Sequence, residues 1–310
     1  MRFLPLRAKI LLLLAIIATV PLYVGSYFIT FMIILFMYTT LAESYDIVGG
    51  YLGYMNMGHA SFFGVGAYSF GLLLNSGLAL PLSFLITALI VAAFALLISY
   101  PFFRLKGAYF ALATFGLIKL LELLAFNLKG LTGGSEGLTV SSGYRIIPVY
   151  YMSLILCAGT IYTVYRISRS RLGLAFVSIR EDEEVARAFG VNTYRYKAIA
   201  LIISSIFAGL MGGIFIWNII FINPTGVFGL EIALVPIAMA LLGGSGTVIG
   251  PVVGAIFITL VEEFLWTKVP FLHLAVYGMV IAFVGLYMRG GLVRTKAARS
   301  LLSRLGWREE

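Results

Sequence analysis

SRSRLGLAFVSIREDEEVARAFGVNTYRYK, residues 168–197, is the one polar stretch of any length in a chain that is otherwise almost continuously apolar. With Arg166 just upstream it carries seven bases, and it holds four consecutive acids, Glu181, Asp182, Glu183 and Glu184. Its punctuation is that of a helix: Ser178 stands three residues before Glu181 as in a capping box, acids crowd the first turn, Arg187 sits in the last, and Gly190 follows. A short helix over 179–189 is predicted, with Val185, Ala188 and Phe189 on one side and Glu184 and Arg187 facing elsewhere. Such a helix would hold an apolar edge out to a partner, with the remainder of the chain as its membrane frame.

Composition supports the frame. Hydrophobic residues make up 61% of 310 positions and charged residues 11%, far below the roughly 25% charged residues of soluble domains. The chain reads as all-α, a polytopic transmembrane bundle forming a single domain over 1–310 without a separate soluble unit. The net charge of +9 then reports orientation rather than nucleic-acid binding. The single cysteine, Cys157, lies in an apolar run and reads as a small core residue. The N-terminal MRFLPLRAKILLLLAIIATV has a charged head and apolar body but no convincing cleavage site, so it is expected to remain as a first span.

A bilayer core of about 30 Å takes about 20 apolar residues per helix. Suitable windows fall near 10–27, 28–45, 50–74, 79–101, 107–127, 148–165, 198–220, 229–243, 248–266 and 271–288, the first two separated only by a turn around Gly25 and Ser26. About ten crossings with both termini cytoplasmic would place 18 of the 22 bases on the cytoplasmic side, including those of 166–197 and of the basic tail 289–310, as the positive-inside rule requires. Eight crossings with two re-entrant segments satisfy the same arithmetic.

Two windows are interrupted by small and polar residues. One runs from Gly49 through Asn56, Gly58, His59 and Ser61 to Tyr68; the other is Leu242-Gly243-Gly244-Ser245-Gly246-Thr247. Broken helices at membrane depth survive only where they are buried in protein or line a cavity, and paired breaks in two halves of a chain point to a substrate path. The stripes Gly246-Gly250-Gly254 and Gly209-Gly213 read instead as close helix packing. Lys119 and Glu122, three apart on one helix, read as an ion pair rather than a proton relay. Glu43, Asp46, Glu231, Glu262 and Glu263 fall near predicted span ends, where charge can snorkel to the interface.

No Walker A, HExxH or Rossmann pattern occurs, and no Cys/His cluster suggests a metal. Energy for transport would come from another subunit or from an ion gradient. An exposed, capped helix fits a borrowed motor better than a gradient-driven carrier.

The ordered set GHASFFGVGAY (58–68), LTGGSEGL (131–138), Arg171-Leu172-Gly173, Ile179-Arg180-Glu181-Asp182-Glu183, Ala188-Phe189-Gly190-Val191-Asn192, Tyr196-Lys197, Ala208-Gly209-Leu210-Met211-Gly212-Gly213 and LGGSGTVIGP (242–251) resembles the LivM-type permeases of branched-chain amino-acid ABC importers over about 45–285. The resemblance implies a multi-pass protein of a prokaryotic cytoplasmic membrane. It would work with a second permease subunit, two cytoplasmic ATPase subunits carrying the ATP and Mg, and an external substrate-binding protein, with no cofactor on this chain and no catalysis by it. It implies a coupling helix from Arg180 to Asn192, with Arg180, Glu181, Glu183, Glu184, Ala188 and Gly190 engaging the ATPase. It favours a translocation path through the two breaks, involving Asn56, Gly58, His59, Ser61, Tyr68, Gly243, Gly244 and Ser245. The family order of acid before base in the fifth span is reversed at Lys119 and Glu122, so no role transfers to that pair. Urea or short-amide permeases of the same architecture share these motifs, and a gradient-driven carrier is the alternative from another class.

Overall fold

Apolar chain in lipid has to satisfy its own backbone hydrogen bonds, which leaves helices as the natural element. Helices dominate the computed structural model, which describes residues 15–140, 143, 145–268, 278 and 291–294. They are α1 (Ser26–Asp46), α2 (His59–Asn75), α3 (Leu80–Phe102), α4 (Gly107–Asn127), α5 (Ile146–Ser168), the short α6 (Arg171–Glu181) and α7 (Glu183–Ala188), α8 (Thr193–Ile219), α9 (Leu230–Gly243) and α10 (Gly250–Lys268). The eight long elements fall on the eight windows expected between 28 and 266. Six segments among the described residues are long and apolar enough to cross a membrane: α1 with its continuation to Tyr51, α3, α4, α5, α8, and Pro224–Gly243, which contains α9. The window at 10–27 is described only from Ala15, and that at 271–288, like most of the tail 289–310, lies outside the described residues.

The central helix is α1, every residue of which from Phe36 to Asp46 is buried. It packs against α5, α8, α9 and α10, while α8 also holds α2 and α3. The outer wall shows how sequence selects a face. On α3 the buried residues Ser83, Thr87, Val91, Ala95 and Ser99 recur every four positions, a ridge of mostly small side chains that lets helices approach. Leu85, Leu89 and Leu97 on other sides of the same helix are exposed, as lipid-facing residues would be.

Glycines set the closest approaches. A methyl group on Gly66 of α2 would stand 2.0 Å from the carbonyl oxygen of Gly209 on α8, and one on Gly254 of α10 would stand 1.8 Å from the carbonyl oxygen of Met239 on α9. The stripes at 209–213 and 250–254 are thus packing surfaces.

The window at 50–74 is not a continuous span. After α1 the chain makes a π-helical turn, Ile47–Tyr51, then runs without helix until His59. At the opposite end of the molecule the 131–139 loop ends in β1 (Leu138–Thr139), which pairs antiparallel with β2 (Phe221–Ile222) just past α8. Ile220, between α8 and β2, has φ 65, a strained value for a β-branched residue. Its carbonyl accepts from the Val140 amide at 2.8 Å.

Because neither backbone nor Gly209 can retreat, Gly66→Ala is expected to lower stability by about 1–3 kcal/mol. Gly116→Ala on α4, where among the described residues nothing beyond the helix's own backbone lies within 4 Å of an added methyl, is expected to be neutral or stabilising by up to about 1 kcal/mol. Thermal unfolding in detergent checks both.

Candidate functional site

The 168–197 stretch forms a helical hairpin outside the bundle. Ser170 caps α6, its Oγ accepting from the amides of Leu172 at 3.2 Å and Gly173 at 3.4 Å. The helix expected from 179 to 189 is instead divided at Asp182. Ser178 does not cap: it sits inside α6 and donates to the Ala175 carbonyl at 2.9 Å. Asp182, in extended conformation, caps α7 by accepting from the amides of Glu184 at 2.8 Å and Val185 at 3.0 Å. A charged cap satisfies orphan amides and complements the helix dipole at once, and the apolar run 172–177 extends the preceding helix back to Arg171. Gly190, at φ 87, ends the hairpin as expected.

The two sides of this hairpin differ. Outward lie Leu174, 72% exposed, Val185 and Phe189, 86% exposed, with Ala188 and Glu184 beside them. Inward lies Glu183, at the centre of a polar knot. Its Oε1 accepts from Lys197 Nζ of α8 at 2.6 Å and from Arg187 at 3.2 Å, and its Oε2 accepts from the Tyr54 hydroxyl at 2.7 Å. Lys197 also donates to the Tyr54 oxygen at 2.6 Å and lies over the Tyr54 ring. Burial pushes the Glu183 carboxyl up, but the hydrogen bonds from Lys197 and Tyr54 and the Lys197 charge outweigh it and hold the group below the ordinary carboxylate range. Arg180 reaches inward too, donating from Nη1 to the Gly50 carbonyl at 3.0 Å and pairing with Glu181.

The hairpin is therefore fastened to the 47–58 break, and that break meets the other one. Asp46, fully buried, accepts from Ser245 Oγ at 2.5 Å and from the Gly246 amide at 2.8 Å. Gly50 lies against both, so that an added methyl would be 2.1 Å from the Asp46 carboxylate and 2.4 Å from the Gly246 nitrogen. Gly246 itself takes φ 79. Within the bundle His59 Nε2 lies 3.0 Å from Ser44 Oγ, and Ser204 donates to the Ser44 carbonyl at 2.6 Å.

The family model for the branched-chain amino acid transport system permease component matches residues 27–285. The chain belongs to that permease family. It is 29% identical over 258 residues to the high-affinity branched-chain amino acid transport system permease protein LivM of Escherichia coli K12, covering 73% of this chain and 60% of that protein. It is 31% identical over 212 residues to the autoinducer 2 import system permease protein LsrC of Salmonella paratyphi B, covering 65% and 60%. The chain thus spans about 60% of the length of these relatives. No solved structure matches it.

The permease brings together part of what its sequence singles out. Of the expected path residues, Asn56, Gly58, His59, Ser61, Tyr68, Gly243 and Gly244 are buried and Ser245 half-buried. A cavity of about 510 Å³ lies elsewhere, between α1, α9 and α10, lined by Phe31, Tyr38, Val235, Thr259 and the acids Glu231, Glu262 and Glu263 among others. Glu43 and Asp46 do not snorkel: both are fully buried, because α1 continues past them into its π-helical turn. Lys119 and Glu122 form the expected ion pair at 2.7 Å. Asp46 and Tyr54 escape a reading by motif, and Lys197 enters one only within Tyr196-Lys197, with no role assigned to it. Their signal was an acid just ahead of a glycine pair and a lysine one turn inside an apolar helix.

Lys197→Met leaves the part-buried Glu183 with Arg187 and Tyr54 but without its main cation and is expected to cost about 1–3 kcal/mol, while adding Glu183→Gln recovers part of that loss. Thermal unfolding of the single and double variants checks it. The folded Glu183 value is lowered, so the stability it contributes is complete above the ordinary value of 4.5 and is lost as pH falls through the lowered one. A fluorophore on Ala188→Cys should report hairpin release only below that ordinary value.

Proposed function

We propose that this chain is a membrane-spanning subunit of an ATP-driven importer for branched-chain amino acids. A second permease, two cytoplasmic ATPase subunits and an external binding protein complete the assembly, with ATP and Mg held by the ATPases. The observation that carries the proposal is the two-sided hairpin. Its outer side offers Val185, Ala188 and Phe189 to a groove, while its inner side is fastened through Arg180 and Glu183 to the break at 47–58. A carrier working alone has no use for such an attachment.

The orientation follows from charge. Arg104, Lys106, Arg166, Arg169, Arg171, Arg180, Arg187, Arg195 and Lys197 gather at the hairpin end, against Lys129, Arg145 and Lys268 at the other, so the hairpin end is cytoplasmic. Closure of the ATPases then moves α6 and α7, and the movement enters the bundle through the Gly50 carbonyl and the Tyr54 hydroxyl. Because Asp46 joins that break to 245–246, both interruptions shift together, a rigid-body change of access between the two sides. The cavity between α1, α9 and α10 forms the outward part of the path. Its aliphatic and aromatic walls suit a branched side chain, and its carboxylates suit an ammonium group.

The test is ATP hydrolysis and uptake in proteoliposomes holding the assembled subunits. Leucine-loaded binding protein is expected to stimulate both more than a urea-loaded one. Phe189→Asp is expected to abolish stimulation by removing the docking edge, and Arg180→Ala to leave hydrolysis while reducing uptake about tenfold or more, equivalent to about 1.4 kcal/mol of lost coupling. Solute crossing at the wild-type rate with either variant would refute coupling through the hairpin.

A further inference from the structure

A second cavity, of about 420 Å³, opens where the turn after α3 faces α7 and the start of α8. Among the described residues four bases line it, Arg104, Lys106, Arg187 and Lys197, against one acid, Glu183. Glu183 is already engaged by Lys197 at 2.6 Å and Arg187 at 3.2 Å. Among the described residues Lys106 pairs with Glu184 alone, at 3.8 Å with both side chains exposed, a contact worth little in water. The guanidinium of Arg104 lies over the Tyr100 ring, 4.2 Å from its centre, and Tyr100 meets Tyr194 edge to face. An excess of positive charge therefore faces an open space.

The surroundings say what fills it. On the outer wall beside the cavity, Leu97 is 73% exposed, Tyr100 57% and Tyr109 75%. Exposed leucine giving way to tyrosine and then to arginine and lysine is the order of side chains at the edge of a bilayer. Basic pockets between helices on the cytoplasmic side suit anionic head groups.

We propose that this cavity binds the phosphate of an anionic phospholipid. Its acyl chains lie along α3 and its head group bridges Arg104 and Lys106 to Arg187 of the hairpin. The phosphate sits beside the Glu183–Lys197 pair, so an occupied site braces the hairpin against the bundle. The binding site stands apart from the transport reading; only its effect on coupling rests on it.

The experiment uses the full chain in detergent, first without and then with the ATPase subunits added, with phosphatidylglycerol retention measured by native mass spectrometry against phosphatidylcholine. Each base near an anionic group contributes about fivefold in affinity, so Arg104→Gln with Lys106→Gln should weaken phosphatidylglycerol retention about twenty-five-fold. Lys129→Gln with Arg145→Gln, at the other end, should leave it unchanged. Unaltered thermal unfolding in phosphatidylcholine shows that the double variants are folded. Equal retention by both double variants and the wild type would overturn the proposal. Displacement of the lipid by inorganic phosphate at equal concentration would overturn the lipid assignment and make the cavity a site for a soluble phosphate. Loss of lipid binding once the ATPase subunits are docked would show that a protein partner covers the bases, which also overturns it.

Discussion

A carboxylate inside a helical bundle has to take its hydrogen bonds from protein, and Asp46 takes them from a helix interruption two hundred residues away in sequence. Serine and glycine at 245–246 supply the donors, and Gly50 keeps the two backbones close enough for them to reach. Leaving such a group unpaired in low dielectric is costly, so the two breaks are held as one unit. The π-helical turn at 47–51, the late start of α2 at His59 and the separation of α9 from α10 are all arranged around this contact. The hairpin joins it through Arg180, whose guanidinium donates to the Gly50 carbonyl.

A charged knot and an apolar edge on opposite sides of one small hairpin divide its work. Glu183, Lys197 and Tyr54 are short-range and directional, and they fix position. Val185, Ala188 and Phe189 are non-directional, and a partner can seat on them without a unique geometry. In the proposed assembly the hairpin thus stays attached on one side while a partner engages the other.

Much of this was legible in the sequence because membrane helices announce themselves by length and composition, and because glycine pairs set among serine, threonine or asparagine mark breaks, whereas Gly212-Gly213 in an apolar run stays helical and packs. The eight windows between 28 and 266 correspond to eight helices, and both interruptions lie where Gly49-Gly50 and Gly243-Gly244 stand. Helix boundaries in the polar stretch were less legible, since Ser178 and Asp182 are both sound caps locally and only the run behind Ser178 decides between them. Burial of charge was least legible. Asp46 and Lys197 have the sequence setting of residues at a membrane edge, and what takes them inside is the tertiary partner each finds, Ser245 and Gly246 for one and Glu183 for the other. The same holds for the cavity between α1, α9 and α10, which depends on the packing of three helices and on no motif.

The pairing of β1 with β2 clasps the end of α8 farthest from the hairpin. Helix α8 has 27 residues and is therefore about 40 Å long. Held at one end, it behaves as a lever: a sideways step of about 4 Å at Thr193 tilts the whole helix by only about 6°. The displacement shrinks steadily along its length, so Gly209, past the midpoint, travels less than half as far as Thr193. The tight glycine contact with α2 is thus spared most of the stroke, and α8 can swing at its hairpin end while the close-packed seam and the β1–β2 end stay nearly still.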